Sequence, residues 1–181
     1  MRSGVRLGID VGRARIGVAR CDPDGLLATP LETVRRDRAA DHGAGGDGGA
    51  GTDIRRILML AREHGAFELV VGLPLGLGGH RTPSTEDAEV FAQRLAGQGI
   101  PVRLLDERLS TVSAQAQLRQ AGKKTKQSRD VIDQAAAVVI LQHALDTERS
   151  QGSAPGSLLG PDTHLDNEPS ASAELNGEAA Q

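Results

Sequence analysis

Apolar and polar residues alternate at the start of the chain. Residues 4–10, 15–20 and 26–34 each read as a short β-strand. The links between them are short, Val11–Ala14 and then Cys21–Gly25 (CDPDG), and both suit hairpin turns. The period then changes. Ile54, Ile57, Leu58 and Ala61 are spaced by threes and fours and predict a helix over about 53–64. Phe67–Leu73 reads as a buried strand closed by Pro74. A helix over about 84–97 is expected, with Ser84 or Thr85 as N-cap and Gly97 or Gly99 as its stop. Ile100–Leu105 is again a short apolar strand, and helices are expected over about 110–121 and 129–147, each preceded by a serine, Ser110 and Ser128. Three hairpin-linked strands followed by alternating helices and strands predict an α/β fold. Its mixed five-stranded sheet would carry helices on both faces. In open sheets of this kind, sites gather at the carboxyl ends of the strands.

Two stretches lack the apolar residues needed to pack. Residues 37–53 hold six glycines and predict a flexible surface loop. Residues 150–181 are rich in Gly, Ser, Ala, Pro and acids and predict a disordered acidic tail. The expected organisation is one domain over 1–149 followed by that tail.

Composition narrows the chemistry. With no Trp, no Tyr and two Phe, a base-stacking platform is excluded as the main binding device. The single Cys21 excludes a disulfide framework and a cysteine zinc site. No run approaches the roughly 18–20 apolar residues of a membrane span. The N-terminus lacks a signal-peptide apolar region, so a soluble, cytoplasmic protein is expected. The net charge of -3 hides a split. The tail holds five acids and no Lys or Arg, which leaves 21 basic and 19 acidic residues before it. All three lysines, Lys123, Lys124 and Lys126, lie together, and residues 101–130 carry a net of +4. Either a local anionic partner or a solvated loop accounts for that spot.

Three acids stand at chemically suggestive places. Asp10 ends the first strand. Alternation puts it on the face of Gly8, so a metal, a phosphate or another backbone could come close. A turn-closing aspartate is the competing account. Asp106-Glu107-Arg108 follows the Ile100–Leu105 strand, where a solvated strand end is the alternative. Asp133 lies on the stripe Ala136, Ala137, Ile140 and Ala144 of the last helix, beyond the first turn, where the helix dipole would favour an acid. An ionised carboxylate there costs several kcal/mol unless it is paired or binds a cation. Asp130, in the first turn, needs no such explanation. Three converging carboxylates would repel one another, and a divalent ion removes the conflict. Oxygen ligands without His or Cys point to Mg2+ or Mn2+, as in two-metal phosphodiester hydrolysis.

Four segments together resemble the YqgF family, described as Holliday junction resolvases or pre-16S rRNA nucleases. They are Gly8-Ile9-Asp10-Val11-Gly12 with Arg15-Ile16-Gly17-Val18-Ala19; Val70-Val71-Gly72-Leu73-Pro74 with Gly79; Asp106-Glu107-Arg108 with Thr111; and Asp133-Gln134-Ala135-Ala136-Ala137 with Ile140-Leu141. The resemblance spans about residues 4–146. It implies an RNase H-like fold and a metal-dependent nuclease that trims the 5′ end of the 16S rRNA precursor, with branched DNA as the alternative substrate. By position, Asp10, Glu107 and Asp133 match the family's catalytic, metal-holding acids, and Asp130 stands where RuvC-type enzymes carry a further acid. Expected phosphate contacts are Arg13, Arg15, Arg81, Arg108, Lys123, Lys124, Lys126 and Arg129. The GLPLGLGG loop could offer backbone N–H groups to a phosphate, or could simply be a connection that needs positive φ. Two rivals stand beside this reading. An ATP-binding protein of the actin/hexokinase type generally needs two such domains. A non-catalytic nucleic-acid-binding module would share the fold.

Overall fold

The computed structural model describes residues 1–38, 50–76, 78–107 and 126–160; the side chains of 126–132 are not described. Among the described residues six strands form one sheet: β1 (Arg6–Val11), β2 (Arg15–Cys21), β3 (Ala28–Arg35), β4 (Glu68–Leu73), β5 (Val102–Asp106) and β6 (Ser157–Leu159). Their order is β3-β2-β1-β4-β5-β6. The hairpin-linked β1, β2 and β3 pair antiparallel, β1, β4 and β5 run parallel, and β6 pairs antiparallel with β5. Helices α1 (Thr52–Glu63), α2 (Pro83–Ala96) and α3 (Lys126–Gln151) complete the described residues. None of these helices is long and apolar enough to cross a membrane.

The two faces of the sheet differ in bulk, as strand alternation dictates. Leu7, Ile9, Ile16, Val18, Leu69 and Val71 face α1 and α2, where they meet Ile54, Ile57, Phe91 and Leu95. On the other face Ala19, Val70 and Leu105 meet α3 through Ala137, Ile140, Leu141, Ala144 and Leu145. The expected stripe therefore holds at Ala137, Ile140 and Ala144, and Ala136 is only half-buried. α3 lies close because glycines face it. A Cβ on Gly8 would stand 2.6 Å from Leu141 Cβ and 2.7 Å from the Ala137 carbonyl oxygen.

Several expectations are corrected. The sheet has six strands rather than five, because part of the stretch read as a disordered tail, Ser157–Leu159, covers the edge of β5. α3 also runs four residues past its expected end at 147, reaching Gln151. The glycine-rich loop is shorter than 37–53, since Thr52 and Asp53 open α1. Asp37 reaches across that loop and accepts hydrogen bonds from the Thr52 N–H and hydroxyl, both at 2.9 Å. Asp53 is buried and accepts from the Asp37 N–H. The N-cap of α2 is Thr82 rather than Ser84 or Thr85. Pro83 suits the first helical position because it has no N–H to leave unpaired, and Thr85 closes a reciprocal capping box. α3 starts at Lys126, ahead of Ser128. The helix expected over 110–121 lies outside the described residues.

Buried charge ties the end of α3 to the sheet. Arg6, Glu68 and Glu148 are each 1–2% exposed. Arg2 donates to both Glu68 and Glu148, Arg6 donates to Glu148 at 3.2 Å, and Arg103 donates to Glu68 at 3.1 Å. Burial alone would push the Glu148 carboxyl up. Hydrogen bonds from the Arg2 side chain and N–H, with the Arg6 and Arg2 charges, outweigh it and hold the pKa at about 2, against an ordinary 4.5. The stabilisation is therefore complete above about pH 5 and is lost as pH falls through about 2. Up to about 3 kcal/mol depends on it. Denaturant unfolding from pH 6 to 2.5 should show this loss in the wild type and a much flatter profile in Glu148→Gln.

Candidate active site

The carboxyl ends of β1, β4 and β5 lie side by side, and α3 crosses the face they present. Asp10 pairs in register with Gly17 of β2, so both look toward α3. The Asp133 carbonyl oxygen sits on Gly17, where a Cβ would stand 1.9 Å away. Of the options that Gly8 left open, backbone approach is what the structure contains: α3 rests its main chain on Gly8 and Gly17. Without that contact, Asp133 could not lie beside the strand pair that carries Asp10. Ile9 pairs with Val71, so Asp10 and Gly72 follow adjacent registered residues. Glu107, just past β5, lays its carboxylate over Gly72 beside Ile140 of α3. Asp10, Glu107 and Asp133 are all half-buried, as is Asp106. The side chain of Asp130 is not described.

The cationic candidates divide sharply. Arg15 lies on the α3 side of β2, with its Nη1 3.7 Å from Asp133 Oδ2. Arg13 is exposed in the β1–β2 turn. Arg81 is engaged by buried Glu89, through a 2.7 Å bond and a second shorter one, so it anchors its own loop to α2. Arg108, Lys123 and Lys124 lie outside the described residues. Lys126 and Arg129 belong to the start of α3, and their side chains are not described. The GLPLGLGG loop behaves as a strand-to-helix connection. Gly79 has φ +81°, the Gly76 N–H donates to the His80 carbonyl, and the Gly79 N–H donates to the Gly76 carbonyl. Those two amides are spent within the loop, so they are not a phosphate cradle.

Sequence reasoning missed Arg36. Its side chain is 1% exposed beneath the β1–β2 turn. It donates to the Gly12 carbonyl at 3.3 Å, pairs with Asp87 at 2.8 Å and lies over the Phe91 ring at 4.8 Å. Arg38 adds a bond to the Arg13 carbonyl at 3.0 Å. Together they fix the turn that follows Asp10. An arginine just after a strand carries no pattern that separates burial from exposure, so the sequence offered no signal.

Among the described residues, no group of three His, Cys, Asp or Glu side chains forms a ready-made metal cage. The donor chemistry still fits a hard divalent ion. Carboxylates from three elements border one glycine-lined face, and no His or Cys is among them.

Comparison with known proteins agrees with this architecture. Residues 4–147 match the family described as RuvX: Holliday junction resolvase. A protein of Clavibacter michiganensis subsp. michiganensis, named as a candidate pre-16S rRNA nuclease, is 57% identical over 170 residues, covering 91% of this chain and 99% of its own. One from Streptomyces avermitilis with the same name is 52% identical over 159 residues, covering 86% and 94%. Among solved structures, Thermus thermophilus RuvC in complex with a Holliday junction substrate superposes with a TM-score of 0.53 at 16% identity, covering 85% of this chain and 99% of that one. At that identity the likeness speaks to the fold, which is the RNase H-like architecture that the family resemblance implied. Matched over nearly all of its described sheet and helices, the chain belongs to the RuvX family.

Proposed function

We propose that the protein is a divalent-metal-dependent nuclease acting on the 5′ extension of precursor 16S rRNA in the cytoplasm. The nuclease domain takes in the whole described sheet, from β1 through β6 at Ser157–Leu159. The observation that carries this reading is the seating of the Asp133 main chain on Gly17, opposite Asp10, with Glu107 over the neighbouring Gly72. The names of the relatives favour RNA over junction DNA.

Asp10, Glu107 and Asp133 would hold Mg2+ or Mn2+. Such an ion lowers the pKa of an attacking water and stabilises the charge that develops on the phosphate. The chain's own part is to bring hard oxygen donors from a strand end, a strand exit and a helix onto one face. Gly8 and Gly17 admit α3, and Gly72 leaves room for the Glu107 carboxylate. Arg13, exposed in the β1–β2 turn, and Arg15, on the α3 side of β2, would meet the nucleic-acid backbone. With so few aromatic side chains, binding rests on phosphate charge, so affinity should fall steeply with salt.

The test is cleavage of an RNA bearing a 16S 5′ extension, compared with a four-way DNA junction, in Mg2+, Mn2+ or chelator. Metal-dependent trimming of the RNA is expected. Preferential, symmetric cutting of the junction would move the substrate to branched DNA. Binding of either nucleic acid with no cutting in either metal would leave a binding module.

A further inference from the structure

Arg15 and Asp133 form a pair that is built to open. Their side chains are 31% and 29% exposed, and 3.7 Å separates Nη1 from Oδ2. A wet pair of this length contributes little stability and exchanges readily. The backbones on either side are held firmly. The Arg15 carbonyl accepts from the Gly12 N–H at 2.9 Å, the Ala14 carbonyl accepts from the Arg36 N–H at 3.1 Å, and the Asp133 carbonyl is seated on Gly17. The Arg15 guanidinium presents a planar fork of N–H donors that suits an anion. Asp133 supplies one on the protein, and a nucleic-acid phosphate supplies another.

We infer that Arg15 is an exchangeable counter-ion: it pairs with the Asp133 carboxylate until that carboxylate binds a divalent ion, and it then turns to a substrate phosphate. This inference deepens the nuclease reading and rests on it. It has a thermodynamic consequence. Divalent ion and nucleic acid each remove one partner of the Arg15–Asp133 pair, so each should strengthen the binding of the other.

The experiment titrates Mn2+ into the full-length protein, followed by electron paramagnetic resonance, with and without a non-cleavable 2′-O-methyl RNA oligonucleotide. Arg15→Gln, which removes the charge, should tighten Mn2+ binding without RNA by about two- to fivefold. It should also weaken RNA binding and abolish the gain in Mn2+ affinity that RNA brings to the wild type. Arg15→Lys keeps a charge and should lie between the two. Thermal melting confirms that each variant is folded. Unchanged or weaker Mn2+ binding by folded Arg15→Gln, beside a wild type that binds Mn2+, would overturn the counter-ion role and leave the nuclease reading standing. A wild type that binds no Mn2+ would overturn both.

Discussion

Replacing Asp133 with Asn is expected to slow nucleic-acid hydrolysis by about a thousandfold or more, while substrate binding changes by about twofold or less. The rate figure follows from the several kcal/mol that a catalytic metal contributes to the transition state, at about 1.4 kcal/mol per tenfold. The substitution keeps shape and removes charge. The contact that positions this residue is made by its carbonyl against Gly17, which the side chain does not affect. The lost pair with Arg15 is long and partly exposed, so the melting temperature should move by only a few degrees. Asp10→Asn should behave alike. Single-turnover rates and filter-binding affinities, measured on the same preparations in Mg2+ and Mn2+, separate catalysis from binding. Equal rates in wild type and variants would trace the activity to a contaminating nuclease.

The second large effect is on the scaffold. Gly17→Ala should destabilise the protein by about 3 kcal/mol or more, lowering the melting temperature by roughly 6–12 °C. The added methyl would stand 1.9 Å from the Asp133 carbonyl oxygen and 2.5 Å from its carbonyl carbon. Both are backbone atoms, so no rotamer change relieves the clash, and α3 must lift from β2. Gly65→Ala is the comparison. Gly65 has φ +62° with nothing within 4 Å, so alanine there carries only the cost of a left-handed conformation, roughly 1–2 kcal/mol. If α3 shifts as a unit in Gly17→Ala, activity falls even below the melting transition, because Asp133 leaves the side of Asp10. Similar stability losses in the two variants would mean that α3 does not rest on Gly17.

Much of this was legible from patterning. Alternation at 4–10 and 15–20 placed β1 and β2 and put Asp10 on the glycine face. The threes and fours of Ile54, Ile57 and Ala61 placed α1 within a residue. What escaped did so for physical reasons. β6 is three residues in a Gly, Ser and Pro setting, too short to display a period. It forms because β5 would otherwise be an open edge, and Gly156 at φ +70° lets the chain press against the Leu104 carbonyl. The expected stripe of α3 holds at Ala137, Ile140 and Ala144 and misses only at Ala136, because a run of alanines has almost no amphipathic contrast. Arg6, Arg36, Asp53, Glu68 and Glu148 look like surface charges. Only the tertiary structure brings their partners together, so no local pattern marks them as buried. Of the proposed site, Asp133 was the most readable acid, because it had no cheap structural reason to be there. The pairing of Arg81 with Glu89, across the start of α2, is another contact that no local pattern announces.

The central claim is that Asp10, Glu107 and Asp133, carried by three separate elements, share a divalent ion. Anomalous diffraction from crystals of the full-length protein grown in Mn2+ tests this most directly. The expected result is a manganese peak at the carboxyl end of β1, ligated by Asp10 and by at least one of Glu107 and Asp133, with the Arg15 guanidinium turned away from Asp133. A manganese peak at other residues, or none at that end of the sheet at millimolar Mn2+, would contradict the account.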